Sequence, residues 1–425
     1  MKVAIAWNWP SRLLDCSFRF EQYAAGLRAL GHQPVFVCTA ETAAGFPGEF
    51  HLCATREAMK DPGFWRSVGA EVVLIVTWHR MAEELRAIRS AGSRAVSISD
   101  SDGRAGSKLF WRWNLERQIL YQPTRAERWR FFKGWLTLQL RQRLYRSFPE
   151  DQQSVESTRE SDVVALGHRG GVANFRRFLA SMGASELGAK LRVVPFTIGA
   201  SFLACPLPAQ KENLVVAIGR WDDPQKNAPL LVAALRRFFA SHPATRIEIF
   251  GQGGAPFFAA LAEENRRLVY RGVQVQEVVA ETLSRARAIV FSSRWEGCPH
   301  AAIEMLALGG TLVGTKMPSL ESWTEEGRFG RCARPRPAAL AAALAEEMKA
   351  WDRGDRDPHA IAQTWREKVR PERVCAELLA LDRTMGPSPP YPPSPWTERG
   401  EPDFSCSPLS VYGEGGRGGE GGLRR

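Results

Sequence analysis

An apolar run, Ala288-Ile-Val-Phe-Ser-Ser293, passes without a break into Arg294-Trp-Glu296-Gly-Cys-Pro-His-Ala-Ala-Ile-Glu304. A β-branched and aromatic run that crosses a short Gly/Pro loop into a helical pattern is the punctuation of a strand-to-helix unit. It puts Glu296 in the loop at the carboxyl end of a strand, and Glu304, eight positions on, about two turns into a helix. Between them, Gly297, Cys298, Pro299 and His300 are expected to present unpaired backbone N–H groups at a positive helix end, where an anion is favoured. Upstream, Val215-Val-Ala-Ile-Gly-Arg220-Trp-Asp-Asp-Pro-Gln-Lys226-Asn repeats the design: a buried strand, a loop with two cations, then a helix. Two anion-receptive junctions and two carboxylates point to a nucleotide diphosphate bearing a hydroxyl-rich group.

The same alternation runs along most of the chain. Strands are expected at 3–7, 35–38, 72–77, 95–99, 162–166 and 191–195, with helices at 18–30 and 81–90 between them. A second series places strands at 214–219, 246–250, 273–276, 288–292 and 311–314, and helices at 228–240, 255–264, 281–286, 299–308 and 337–350. A last helix is expected over 360–385, bent at Pro371. Such punctuation predicts an α/β chain of two Rossmann-like, doubly wound parallel-sheet domains. The first covers 1–200 and the second 214–362, joined by an irregular linker at 201–213; a C-terminal helix follows at 363–385. From residue 386 to 425 the chain is Pro/Ser-rich and then Gly/Arg/Glu-rich, cannot bury a core, and is expected to be disordered.

Composition narrows the setting. At 425 residues the chain is too long for one ordinary core and comfortable for two. No apolar run reaches the roughly 18 residues a spanning helix needs, and the opening Met1-Lys-Val-Ala-Ile-Ala-Trp7 is too short to be a signal peptide. Eight cysteines lack any Cys-x-x-Cys pair or metal-ligand spacing, which suits reduced thiols in a cytoplasmic protein. The net charge of +11 is concentrated: Arg104 to Arg146 holds eleven Arg or Lys residues against Glu116 and Glu127. Aromatic residues interleave them, among them Trp111, Trp113, Trp129, Phe131, Phe132 and Trp135.

In their order and spacing, Gly219-Arg220-Trp…Gln225-Lys226-Asn, Ile249-Phe-Gly251-Gln-Gly253, Glu296-Gly-x-Pro…Glu304 and Glu326-Gly-x-x-Gly330 resemble the GT-B retaining glycosyltransferases of family 4. The resemblance is specific over about 214–331 and only architectural over 1–200. It implies two domains facing each other across a cleft, donor site in the second and acceptor site in the first. Arg220 and Lys226 would hold the donor diphosphate, Glu304 the nucleotide ribose, and Glu296 the hydroxyls of the transferred sugar. Gly297 to His300, with the tight turn at Gly251 and Gly253, would line the donor. The last helix would cross back onto the N-terminal domain, beginning at Thr364-Trp365. The partners implied are a nucleotide-diphosphate sugar and a glycan or lipid-linked acceptor. Cations and a helix N-terminus can meet the leaving diphosphate, so no metal or other cofactor is expected. The alternative is a non-catalytic glycan- or nucleotide-binding relative, because the family's Gly-rich loop after the first strand is replaced by Ser11-Arg-Leu-Leu-Asp15-Cys-Ser.

Other features admit more than one reading. His79 and Asp15 are acceptor-side candidates by position; a satisfied structural histidine is the competing account of His79. Asp100-Ser-Asp102-Gly resembles the metal-binding Asp-x-Asp of the other main glycosyltransferase fold, but turn chemistry accounts for it better. The stretch 104–146 is open between packed aromatics under a solvated cationic face and docking on an anionic membrane surface through Trp129, Phe131, Phe132 and Trp135. The second reading would make the protein cytoplasmic but peripheral on the inner face of the membrane. Nucleic acid is not expected, since no recognised module surrounds the stretch. A nicotinamide enzyme is disfavoured by the lack of Gly-x-Gly-x-x-Gly after the first strand.

Overall fold

The computed structural model describes residues 1–7, 15–38, 51–77 and 80–380. The apolar runs fold into thirteen strands among the described residues, all paired in parallel. In the first sheet lie β1 (Lys2–Trp7), β2 (Gln33–Cys38), β3 (His51–Cys53), β4 (Val72–Thr77), β5 (Arg94–Ser99), β6 (Val163–Leu166) and β7 (Leu191–Val193), in the order β3-β2-β1-β4-β5-β6-β7. The second holds β8 (Glu212–Ile218), β9 (Arg246–Phe250), β10 (Leu268–Gly272), β11 (Ala286–Phe291), β12 (Thr311–Thr315) and β13 (Gly330–Ala333), in the order β10-β9-β8-β11-β12-β13. Parallel strands covered by helices on both faces must be apolar throughout. Val72 to Val76 and Leu214 to Ala217 are accordingly buried without interruption.

Both sheets reverse their order once, between β1 and β4 and between β8 and β11. Loops leaving the carboxyl ends of two strands at such a reversal diverge and open a crevice, the usual ligand position in an open α/β sheet. In the second sheet those loops are 219–227 and 292–299. Around the first sheet's reversal, His79 lies outside the described residues, and Asp15 is described only as the first residue of the helix Asp15–Ala29.

The last described helix is anchored on the first sheet and its helix Asp15–Ala29. Helix Pro358–Val369 stops before a new helix, Pro371–Ala380. Arg370 between them is extended, with ψ 139°, as the ring of a following proline requires. Pro371 therefore opens a second helix instead of bending one long one. Cys375 Sγ lies 3.4 Å from the Tyr23 carbonyl, and Arg94 donates to the Leu379 carbonyl at 2.8 Å. Arg366 bonds the carbonyls of Ala307 and Cys205 at 2.9 and 2.7 Å, fixing helix 358–369 to the second domain and the linker.

Two further expectations change. The strand placed at 273–276 is β10, Leu268–Gly272, an edge strand in which Leu268 is buried and Val269 exposed. The apolar Val273 and Val275 instead lie exposed in the loop that follows. The linker is not wholly irregular, since Ala200–Ala204 is a short helix that buries Phe202.

Among the described residues, Gly106–Asp151 form a compact unit separate from the one that holds 1–105 and 152–380. The unit contains the helices Trp111–Leu120 and Arg125–Leu144. Asp151, fully buried, closes its base by accepting hydrogen bonds from the backbone N–H groups of Ser107 and Lys108 at 2.6 and 2.8 Å. Trp135 is buried and stacks on Trp111 at 5.6 Å, so it is part of the unit's core and not of a lipid-facing surface.

Candidate active site

The loop after β8 is built to hold two cations at fixed positions. Trp221 anchors it, donating Nε1–H to the Phe250 carbonyl at 2.8 Å and packing edge-on against Phe258. Asp223 caps the short turn Pro224–Lys226 by accepting from the Gln225 N–H at 2.8 Å, and pairs with the Arg220 guanidinium at 3.2 Å. Asn227, with φ 53°, turns the chain into the helix Ala228–Ser241. The neighbouring turn at Gly251 to Gly253 packs directly on this loop. A Cβ on Gly251, whose φ is +109°, would lie 1.9 Å from the Gly219 carbonyl oxygen, so only glycine fits.

The loop after β11 interlocks with it. Lys226 Nζ lies 2.6 Å from Glu296 Oε1, and Gln225 Nε2 lies 3.1 Å from Oε2. Ser293 donates to Glu296 Oε1 at 2.6 Å, and Ser292 to the Lys226 carbonyl at 2.6 Å. Arg294 clamps the cationic loop from the other side. Its Nε bonds the Pro224 carbonyl at 3.2 Å and its Nη2 the Asn227 Oδ1 at 2.9 Å. Glu296 and Glu304 are both buried, 6% and 7% exposed, with Glu304 inside the helix His300–Ala307. Half of the Arg220 side chain remains exposed. Buried carboxylates beside a fixed ammonium and an exposed guanidinium make a site of mixed charge, suited to a ligand that carries both phosphates and hydroxyls.

Part of the approach to the helix N-terminus is taken. The Cys298 N–H points to Asp100 Oδ1 at 3.3 Å, and Pro299 has no N–H to offer. Asp100 belongs to the loop after β5, so the Asp-x-Asp segment of the first domain reaches the loop after β11 in the second. A Cβ on Gly297 would stand 2.7 Å from the Asp100 carbonyl oxygen, which accounts for glycine there. Asp102, buried, forms an ion pair with Arg104 at 2.6 Å and receives its backbone N–H at 3.1 Å. That is turn chemistry, and the described residues contain no cluster of three metal-ligating side chains. His300 stacks on Phe196 at 5.4 Å.

A second seam residue is His168, at the start of helix Arg169–Ser181. Its Nδ1 accepts the Gly171 N–H at 2.9 Å, and its ring meets Trp323 edge-on at 5.9 Å. Complete burial drives its pKa down to about 4, against the opposing pull of the Asp102 carboxylate. Next to it, the Gly170 N–H donates to Ser322 Oγ at 3.0 Å.

Of the residues singled out from sequence, Lys226 and Glu296 meet at 2.6 Å, Arg220 lies in the same loop as Lys226 paired with Asp223, and Glu304 is buried in the helix His300–Ala307. Sequence reading missed the contacts of Gln225, Ser292, Ser293 and Arg294, although the last three stand within four positions of Glu296. It read Asp100 only as part of a turn and not as a partner of Cys298, and it missed His168, which carries no local signal.

Comparison with known proteins bears on the second domain and on the fold. Residues 212–349 match the family model of glycosyl transferases group 1. The fold is that of the GT-B glycosyltransferases. A glycosyltransferase from Rickettsia africae superposes with a TM-score of 0.59 at 11% identity, over 90% of this chain and 99% of that chain. The Anabaena protein HepE, solved in complex with UDP and glucose, gives 0.55 at 11% identity, over 89% and 98%. Sucrose-phosphate synthase from Thermosynechococcus elongatus gives 0.55 at 15%, over 89% and 98%. No curated protein matches the sequence. The GT-B likeness spans both sheets, whereas the family match lies within the second domain and includes Arg220, Lys226, Glu296 and Glu304.

Proposed function

We propose that the protein transfers a sugar from a nucleotide diphosphate to a glycan or lipid-linked acceptor, with retention of anomeric configuration. The observation that carries this reading is the interlock of Lys226 with Glu296 at the reversal of the second sheet. In it, cations that can meet a diphosphate stand against a carboxylate that can meet sugar hydroxyls. The match of 212–349 to group 1 glycosyltransferases and the UDP and glucose bound by HepE support the class of donor.

The chemistry follows from the parts. Lys226 and Arg220 stabilise charge as the bond between the anomeric carbon and the diphosphate oxygen breaks. The acceptor hydroxyl attacks the same face, and its proton passes to the leaving phosphate oxygen. Glu304 holds the ribose. Glu296, released from Gln225 or Lys226, accepts hydrogen bonds from the donor sugar. Cations take the place of a metal at the diphosphate, so no metal is required.

The test separates binding from turnover. Glu304→Ala is expected to weaken nucleotide binding in calorimetry, because the ribose contact is made equally in ground and transition states. Glu296→Gln is expected to lower kcat with less effect on binding. NMR of the product's anomeric carbon reads retention directly, and an inverted product or wild-type turnover in Glu296→Gln sinks the assignment. A non-catalytic nucleotide binder is the second reading, favoured by the already occupied hydrogen-bonding capacity of Glu296. It predicts nucleotide binding with neither transfer nor donor hydrolysis.

A further inference from the structure

The helix Arg125–Leu144 is turned inside out for a protein in water. Its buried residues are Trp135, Gln139 and Gln142, at 8, 4 and 9% exposure. Trp129, Leu136, Leu140 and Leu144, at 57, 41, 61 and 77% exposure, share the opposite side at helical spacing. Glutamines face inward and leucines outward. A stripe from residue 129 to 144 is about 22 Å long, which suits an extended surface and no small ligand.

Charge identifies the surface. The helix carries Arg125, Arg128, Arg130, Lys133, Arg141 and Arg143 against a single acid, Glu127. That acid is consumed by the helix cap, bonding the Thr124 N–H at 3.0 Å while Thr124 Oγ1 accepts the Glu127 N–H at 3.2 Å. Lys133 stands within the stripe, its ammonium 5.1 Å above the Trp129 ring. Two copies of such a face would oppose cation to cation. A nucleic acid would answer the cations and the tryptophan but leave the leucines without a partner. Anionic lipid answers all of them, with headgroups meeting Lys and Arg, and the acyl boundary taking Trp129 and the leucines.

We propose that residues 125–144 dock this protein on an anionic lipid surface, the helix lying in the plane of the interface with Trp129, Leu136, Leu140 and Leu144 inserted. Docking itself stands apart from the transferase reading. Its consequence, a lipid-linked in preference to a freely diffusing acceptor, rests on that reading.

The full chain is sedimented with vesicles of phosphatidylcholine alone and of phosphatidylcholine with phosphatidylglycerol, at low and high salt. Binding is expected to the second composition and to weaken with salt. The triple variant Leu136→Gln, Leu140→Gln and Leu144→Gln and the charge reversal of Arg130→Glu with Arg141→Glu are each expected to weaken it at least about tenfold. Neither is expected to change the melting temperature by more than a few degrees, because the altered side chains are solvated. Trp129 is the emission probe, read as the difference between wild type and Trp129→Phe, and is expected to shift to the blue on binding. Failure to bind anionic vesicles at low salt overturns the proposal, as does wild-type binding by the leucine variant. So does a concentration-dependent dimer abolished by the leucine variant, or tighter binding to single-stranded RNA that the leucine variant retains. Nucleotide binding measured on the same samples keeps the two readings distinct: intact nucleotide binding without vesicle binding removes only the docking.

Discussion

Lys226 Nζ and Glu296 Oε1 lie 2.6 Å apart although their residues are 70 positions apart in the chain. Both side chains are largely buried, with 17 and 7% of their surface exposed. The pair ties the loops after β8 and β11 into one structure before any ligand arrives. It has a cost in the free protein, because two charges removed from water are only partly repaid by each other.

Removing one partner strands the other's charge. Lys226→Met and Glu296→Leu are each expected to lower unfolding stability by about 3 kcal/mol or more. The double variant is expected to regain most of that loss while staying inactive. Denaturant titrations of the four proteins measure the coupling. A double variant whose loss equals the sum of the singles would show that the charges do not interact.

The two cations and the acids beside them should differ in their effect on turnover. Lys226→Ala is expected to lower kcat/KM by about 2–4 kcal/mol in transition-state stabilisation, because the ammonium opposes charge on the leaving diphosphate. Asp222 packs against Gly253 and has no charge to offer a phosphate, so Asp222→Ala is expected to cost much less. Turnover is expected to persist in a metal chelator. Equal small losses in the two variants would reduce the loop to a turn, and abolition by chelator would return attention to Asp100 and Asp102.

His168 links stability to pH. In the unfolded chain its imidazole takes a proton below about pH 6.5, whereas in the fold burial holds the pKa at about 4. The unfolded state therefore binds more protons between those values, and stability falls as pH drops from 6.5 to 4. Above that window the contribution of His168 is fully present. The loss at the low end is about 3 kcal/mol from this residue. Asn is a good helix cap, so His168→Asn is expected to keep the bond to the Gly171 N–H while flattening that dependence. The difference between the two proteins' unfolding curves against pH measures it, and identical slopes would exclude His168 as the cause.

Several strand-to-helix junctions were legible from local pattern because burial on both faces of a parallel sheet leaves continuous apolar runs, and a Gly/Pro loop marks where each run ends. Edge strand β10 did not read this way. With one side in water its sequence, Leu268-Val-Tyr-Arg-Gly272, alternates weakly, and the apolar Val273 and Val275 beyond it looked more strand-like.

What the sequence determined by itself was the α/β alternation and the residues at the second sheet's reversal, Arg220, Lys226, Glu296 and Glu304. Arg220, Lys226 and Glu296 lie in the loops that leave β8 and β11, and Glu304 in the helix that follows the second loop, so their places follow from local folding. Only the tertiary structure decided that Asp100 occupies the Cys298 N–H, that His168 is sealed beside it, and that Trp135 faces inward while Leu136, Leu140 and Leu144 face out. Those depend on which surfaces meet after the chain has folded. A carboxylate bonding a residue 198 positions away, or a leucine left in water, leaves no trace in the neighbouring sequence.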